Sequence, residues 1–300
     1  LFQVVRATEK ECDAYGSFNR FLNADKPYFI YLENPLAVYH YTIGRIGHKA
    51  GATRFRNCLN DSQLKYIVCM SEACRTTFEQ INMPLPEHVK MKTIYPYVPV
   101  NSRVTPSWVE QKSDSEYLEC LYCVQGMRFV SKGGMEVLSA YERLWKKGLK
   151  IHLTVITKFA DLDPDVEKRL MSCPGISCHD FNLSYEDLEK VYANSNVLLQ
   201  PSSDDSFGLT VLEAMKGGCT VICSKMYAFP EMVTEGVNGF LLEPKYWFFD
   251  EHHVPNPAVW NHRKKTIYSR KESARLVEEL EDRLTRLCED RELLYAMSLR

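Results

Sequence analysis

NVLLQPSSDDSFGLTVLEAMKGGCTVICSK, residues 196–225, is the stretch on which the architecture turns. NVLLQPSS reads as a strand, GLTVLEAMKGG as a helix and CTVICSK as a second strand. That succession predicts a crossover connection and a parallel sheet. The stretch also raises a chemical question. Glu213 lies among Leu212, Ala214 and Met215, where a helix normally turns towards a core. A buried, unpaired carboxylate is expensive, so either a salt bridge or a ligand has to account for it.

The alternation continues on both sides. Residues 117–129 (YLECLYCVQGMRF) predict a strand, 132–148 a helix ending at Gly148, 150–159 (KIHLTVITKF) a strand and 165–173 a helix. Residues 184–195 (SYEDLEKVYANS) predict a helix with Ser184 as N-cap and Asp187 three residues on. Downstream, 230–236 read as a short helix, 238–244 (NGFLLEP) as a last strand, and 271–295 as an amphipathic surface helix or pair. Nearer the start, 26–35 (KPYFIYLENP) predict a buried strand stopped by Asn-Pro. Residues 64–81 predict a strand, a turn at Ser71 and a helix, and 89–100 a strand broken by Pro96 and Pro99. The polar stretch 101–116 has no period, so a linker is expected at 106–116, between domains at 1–105 and 117–300.

Bulk properties remove several classes. The 300 residues are 45% hydrophobic and 25% charged, ordinary for two globular domains. A net charge of -2 supplies no basic field for nucleic acid. No apolar run reaches ~18 residues, so no membrane span is expected. The first residues, LFQVVRATEKECDAYG, lack a signal pattern. The 11 cysteines are scattered, which fits a reduced, cytoplasmic setting. Cys120 and Cys123 form a lone C-x-x-C, with neither a second pair nor a His pair for zinc, and read as two strand cysteines. Residues 245–272 hold His252, His253 and His262 beside Asp250 and Glu251. Adjacent histidines rarely share an ion, so this insertion is read as a solvent-exposed loop whose aromatics pack it onto the domain or meet a partner. No metal site is expected anywhere.

In open parallel sheets, ligands bind beyond the carboxyl ends of the strands. The end of NVLLQPSS delivers DDSFGL to that place, and the next helix starts near Gly208. Free N–H groups at a helix start suit a phosphate, and glycine lets backbone approach a ligand closely. Glu213, further along the helix, can accept hydrogen bonds from a vicinal diol such as a ribose. Asp205 at the loop mouth can hold a second hydroxylated ligand. A second strand end, QGMRFVSKGG, carries Arg128 and Lys132. Cations at a helix start oppose its dipole unless an anion sits between them. There is no G-x-G-x-x-G with an acid further on, which argues against a dinucleotide oxidoreductase.

GMRFVSKGGMEVLSAYERL, FNLSYEDLEKVYANSNVLLQPSSDDSFGLTVLEAMKGGCTVICSK and EMVTEGVNGFLLEP resemble the nucleotide-sugar domain of family 4 retaining glycosyltransferases. The resemblance spans residues 117–244. It implies an α/β chain of the GT-B fold, two Rossmann-like domains with parallel sheets, the N-terminal one incomplete. By it, the E-x7-E signature falls on Asp205 and Glu213. Glu213 would bind the donor ribose and Asp205 the transferred sugar. The amides of Phe207, Gly208 and Leu209 would lie along sugar and diphosphate, and Gly126 and Ser206 would also bind the donor. Lys132, with Arg128, would neutralise the departing diphosphate, and no cofactor or metal is implied. Two departures stand out: Asp205 is one methylene shorter than the usual glutamate, and the usual Gly-Arg is Gly126-Met127 with Arg128 one place late.

On the acceptor side, FIYLENPLAVYHY resembles a strand and loop that often carry a histidine. That place is Leu32, followed by Glu33 and Asn34 as acceptor-site candidates, and His40 is out of register. Only the second half of an acceptor domain is recognisable, and the last helix back to it is missing, so a chain truncated at both ends or unusually short is expected. The expected function is retaining hexosyl transfer from a nucleotide-diphosphate sugar to a saccharide or lipid-linked acceptor in polysaccharide biosynthesis. The expected setting is cytoplasmic, with peripheral contact at the inner face of the membrane open to it. The alternative is a non-catalytic nucleotide-sugar-binding subunit or a truncated module.

Overall fold

The computed structural model describes residues 4–8, 11–45, 48–80 and 84–300. They form two compact units, Leu1–Tyr97 with Phe248–His262, and Val98–Trp247 with Arg263–Arg300.

The first unit contains β1 (Val4–Arg6), β2 (Tyr15–Phe18), β3 (Phe21–Asn23), β4 (Tyr28–Leu32), α1 (Lys49–Leu59), β5 (Leu64–Cys69), α2 (Glu72–Gln80) and β6 (Lys90–Thr93). A four-stranded parallel sheet runs β2-β4-β5-β6, and β1 pairs in parallel with β3. Tyr28, Ile30 and Leu32 alternate into the core, where they join Phe55 and Phe78, as a period of two requires. The helix expected to reach residue 81 covers Glu72–Gln80, and residue 81 lies outside the described residues. Helix α1 went unread because its sequence, KAGATRFRNCL, is mostly polar and buries only Phe55 and Leu59.

Residues 248–262 are mostly turns and irregular chain with one short helix, and their aromatics Phe248, Phe249 and Trp260 are buried as expected. They correct the expectation that they belong with 117–300. Gln80 Nε2 donates to the carbonyl of His252 at 2.7 Å and Thr77 Oγ1 to that of His253 at 2.9 Å. Phe248 stacks on Trp260 at 3.9 Å, and both are buried. The aromatics give this segment a small core of its own, and the Thr77 and Gln80 hydrogen bonds tie it to α2. Among the described residues, no group of three or more His, Cys, Asp or Glu side chains is placed to hold a metal.

The second unit begins with α3 (Pro106–Ser113), which replaces the expected linker. Thr105 caps it by accepting from the Trp108 amide at 3.2 Å. Trp108 Nε1 donates to the Ala193 carbonyl, and Lys112 Nζ to those of Ser195 and Gly217. A helix held this way by polar contacts shows no apolar stripe to read. There follow β7 (Leu118–Cys123), α4 (Gly134–Lys146), β8 (Ile151–Thr157), α5 (Pro164–Ser172), β9 (Ile176–Asp180), α6 (Tyr185–Asn194), β10 (Val197–Gln200), α7 (Leu209–Lys216), β11 (Thr220–Ser224), α8 (Phe229–Met232) and β12 (Gly239–Leu242). With Pro257–Trp260 of the first unit counted as α9, the chain closes on α10 (Ala274–Glu289) and α11 (Arg291–Ser298). Cys120 and Cys123 lie buried on β7, and all 11 cysteines are free. The sheet is entirely parallel, ordered β12-β11-β10-β7-β8-β9. The winding direction reverses between β7 and β10. At such a reversal, the loops leaving the two strands diverge to opposite faces and open a crevice at their carboxyl ends. Strand β9, an edge with mostly exposed side chains, was missing from the sequence reading because its pattern is polar.

Candidate functional site

The crevice beyond β7 and β10 is built by two glycine-led helix starts. The chain leaves β7 through a single 3-10 turn, Gly126–Arg128, and reaches α4 through Gly133 at φ 82°. It leaves β10 through residues 201–207 and enters α7 through Gly208 at φ 86°. Both are left-handed conformations that glycine adopts without a Cβ penalty. A Cβ on Gly133 would overlap the Pro201 carbonyl, and one on Gly208 would overlap the Phe229 ring. The Ser203 amide donates to the Ser131 carbonyl at 2.9 Å, tying the two loops together. Neither helix start carries a side-chain cap, so their first N–H groups keep no such partner.

Four charged side chains meet on these loops. Lys132 Nζ lies 2.5 Å from Asp205 Oδ2, with both side chains 14% exposed. Arg128 lies 2.6 Å from Asp204 Oδ2 and also reaches the Asp204 carbonyl at 3.4 Å. Gln200 Nε2 donates to Asp205 Oδ2 at 3.2 Å, and the Ser206 amide to Asp205 Oδ1 at 3.0 Å. The expected residues Arg128, Lys132, Asp205 and Ser206 therefore stand together. Gly126 packs against the Lys158 carbonyl, which a Cβ would overlap. Phe207 is buried, and Leu209, the first residue of α7, is exposed.

Glu213 is placed differently. Half-buried on α7, it has no cation within ion-pair distance among the described residues, so the salt bridge weighed for it does not form. Its partner is Tyr192, whose hydroxyl donates to Oε2 at 2.9 Å. Burial pushes the Glu213 carboxyl up from the usual carboxylate range, and the Tyr192 hydrogen bond opposes that rise. Burial first, then the charges of Cys123 and Glu213, push the Tyr192 phenol up. Sequence reading missed Tyr192, Asp204 and Gln200. Tyr192 left one usable signal: a tyrosine on the buried side of a helix needs a partner for its hydroxyl.

The acceptor-side candidates lie in the first unit. The Asn34 side chain is fully buried and accepts from the Leu36 amide at 3.0 Å, capping the 3-10 turn Pro35–Tyr39. Glu33 accepts the Tyr41 hydroxyl, and its amide donates to Asn19 Oδ1 at 3.1 Å. Leu32 is in the core, and His40 and Tyr41 are both left-handed, at φ 52° and 53°.

Residues 122–247 match the family Glycosyl transferases group 1. The matched segment runs from the end of β7 to just past β12 and contains both glycine-led helix starts. Among curated proteins, sulfoquinovosyl transferase SQD2 of Arabidopsis thaliana is 32% identical over 83 residues, 27% of this chain and 16% of that protein. D-inositol 3-phosphate glycosyltransferase of Corynebacterium diphtheriae is 27% identical over 119 residues, 32% of this chain and 28% of that protein. The matches thus span less than a third of either relative. Among solved structures, HepE of Anabaena in complex with UDP and glucose superposes with a TM-score of 0.55 at 17% identity, covering 90% of this chain and 70% of that one. WaaG, a glycosyltransferase involved in lipopolysaccharide biosynthesis, gives 0.54 at 14% identity, covering 92% and 72%. The fold is α/β with parallel sheets, and its structural neighbours are GT-B glycosyltransferases.

Proposed function

We propose that this chain binds a nucleotide-diphosphate sugar in the crevice of its six-stranded unit and transfers the sugar, with retention, to a saccharide or lipid-linked acceptor. One observation carries the reading: Lys132 and Arg128 face Asp205 and Asp204 between two helix starts without side-chain caps, with Glu213 further along α7 and without a cation. In this reading, the diphosphate lies over the helix starts and draws Lys132 and Arg128 towards its oxygens. Glu213 accepts from the ribose hydroxyls. Asp205, held by Gln200 and the Ser206 amide, receives the hydroxyls of the transferred sugar. Each cation is held by its own carboxylate, Lys132 by Asp205 and Arg128 by Asp204. Lys132 is the principal counter-charge to the leaving group because Arg128 stands one place late in the motif. The two cations provide that neutralisation without calling on a metal or cofactor. Attack occurs on the face the diphosphate leaves, and the diphosphate helps to take the acceptor's proton. Nucleic acid has no place in this reading. The setting proposed is the cytoplasm, at the inner face of the membrane when the acceptor is lipid-linked. No helix among the described residues is long and apolar enough to cross a membrane.

A second reading, a module that binds the nucleotide sugar without transferring it, is favoured by the acceptor-side strand. Where the resemblance places a histidine stands Leu32, buried in the core, and Asn34 is committed to its cap.

Calorimetry with UDP, GDP, ADP and their sugars tests the donor site. One of the nucleotides is expected to bind, and Glu213→Ala to weaken it about ten- to a hundredfold, the scale of hydrogen bonds to a charged group. Binding of none, or undiminished binding to the variant, would refute the assignment. Transfer or hydrolysis with the donor so identified separates enzyme from module.

A further inference from the structure

We propose that Tyr192 is a positioning residue for donor binding: its hydroxyl holds Glu213 by Oε2, so that the other oxygen, Oε1, is presented to the ligand's diol. The inference rests on the donor-site reading of Glu213. It begins from what fixes the tyrosine. The Tyr192 ring is buried among Leu121, Cys123, Val211 and Ala214. Its backbone lies against Gly217, where a Cβ would come within 2.6 Å of the Tyr192 Cβ. Its carbonyl accepts from Cys219 Sγ at 3.2 Å. Backbone and ring are therefore held from several sides, and the phenolic oxygen has little room to move.

Glutamate is the opposite case, with three side-chain torsions and the entropy that goes with them. A carboxylate that must accept from two vicinal hydroxyls loses that freedom on binding unless it is already oriented. Here Tyr192 Oη takes Glu213 Oε2 at 2.9 Å, and no other protein donor reaches the carboxylate among the described residues. Phenylalanine would fill the same space equally well. The hydroxyl is what links α6 to the carboxylate on α7.

The same bond sets the charge state. A carboxylate accepting ligand hydroxyls must be ionised, and burial works against ionisation while the Tyr192 bond favours it. The ionisable groups around Glu213 are the Cys123 thiol on β7, Tyr185 and Glu189 on α6, and Lys216 on its own helix. Lys216 is exposed and makes no ion pair with Glu213, so the tyrosine is the neighbour that stabilises the anion.

Tyr192→Phe tests this in the full chain. The Glu213 carboxyl is followed by carbon NMR, its signal identified by loss in Glu213→Gln, and binding of UDP, GDP or ADP by calorimetry across pH. The titration midpoint of Glu213 is expected to move up in Tyr192→Phe. Nucleotide affinity is expected to fall about tenfold, the loss of one charge-assisted hydrogen bond. The acid-side loss of affinity should set in at a higher pH, because less of Glu213 stays ionised. In a Glu213→Gln background, Tyr192→Phe should add little. An unmoved midpoint overturns the proposal. A midpoint that moves while affinity and its pH profile stay put also overturns it, and leaves the donor site standing. If the unaltered chain binds none of the three nucleotides, the donor reading falls and this role falls with it, whatever the midpoint does.

Discussion

The six-stranded sheet winds outward from its centre, β7 to β8 to β9 on one side and β10 to β11 to β12 on the other. The four-stranded sheet winds one way only, β2 to β4 to β5 to β6. The difference has chemical consequences. Reversal at β7 and β10 splays two loops apart and leaves their glycine-led helix starts facing one space, where charged side chains gather. One-way winding makes no such opening. At the end of β4, the polar residues serve the local chain: Asn34 caps its 3-10 turn, and Glu33 receives Tyr41. Burial separates the sheets as well. Every residue of β10 and β11 is buried, whereas β4 alternates, with Phe29 exposed on its outer face. Both faces of the central strands in the larger sheet are covered, as parallel sheets require.

Matched substitutions in the two units can break this comparison. The largest effect is expected at Gly208→Ala, which combines a left-handed backbone with overlap of the buried Phe229 ring. It should cost about 3 kcal/mol by urea unfolding, from strain and overpacking together. Gly16→Ala in the first unit meets only the exposed Phe29 ring, at 2.7 Å, and should cost about 0.5 kcal/mol because that ring can swing away. Equal costs would show that the two regions are equally tight.

Next comes Lys112→Met. Lys112 is a buried cation that donates to the Ser195 and Gly217 carbonyls, at the ends of α6 and α7. Stranding those carbonyls should cost about 2 kcal/mol. Lys26→Met, which removes a partly exposed bond to the Cys12 carbonyl, should change stability by a few tenths. A similar small loss at Lys112 would mean that water replaces its ammonium group.

The smallest effect per step is a slope with pH, and it sets in only above about pH 8.5. Burial pushes the Cys123 thiol up to about 12, against about 8.5 in an unfolded chain. The folded value is the higher one, so this contribution is fully present below about pH 8.5 and is lost as pH rises through the folded value. Unfolding free energy should therefore fall by about 1.4 kcal/mol per pH unit on account of this thiol alone. Cys123→Ala should flatten the curve by that amount. Cys58→Ala in the first unit should flatten it less, since that thiol is only half-buried. Identical curves for the parent and Cys123→Ala would refute the assignment.

Much of the second unit was legible because its elements are long and strongly patterned. Ser184 caps its helix as its spacing suggested, accepting from the Asp187 amide at 3.1 Å. The helix pair near the end was foreseen as one or two. Strands β1, β2 and β3 escaped because runs of three or four residues are too short to show a period. Other elements escaped because their support is not apolar: α3, held by Thr105, Trp108 and Lys112; α1, with two buried residues; and the exposed edge β9. Periodicity detects an apolar face, and these elements scarcely have one.

Sequence by itself determined the alternation of strand and helix, the glycines at both helix starts, and the presence of cations and carboxylates at the ends of strands. Those follow from preferences acting over a few residues. Tertiary structure decided the strand order that makes a switch point, the joining of 248–262 to the first unit, and the partners of each charge. Lys132 finds Asp205 73 residues away, and Glu213 finds a tyrosine 21 residues away rather than a cation. Such pairings depend on how distant elements pack, and no local pattern encodes that distance.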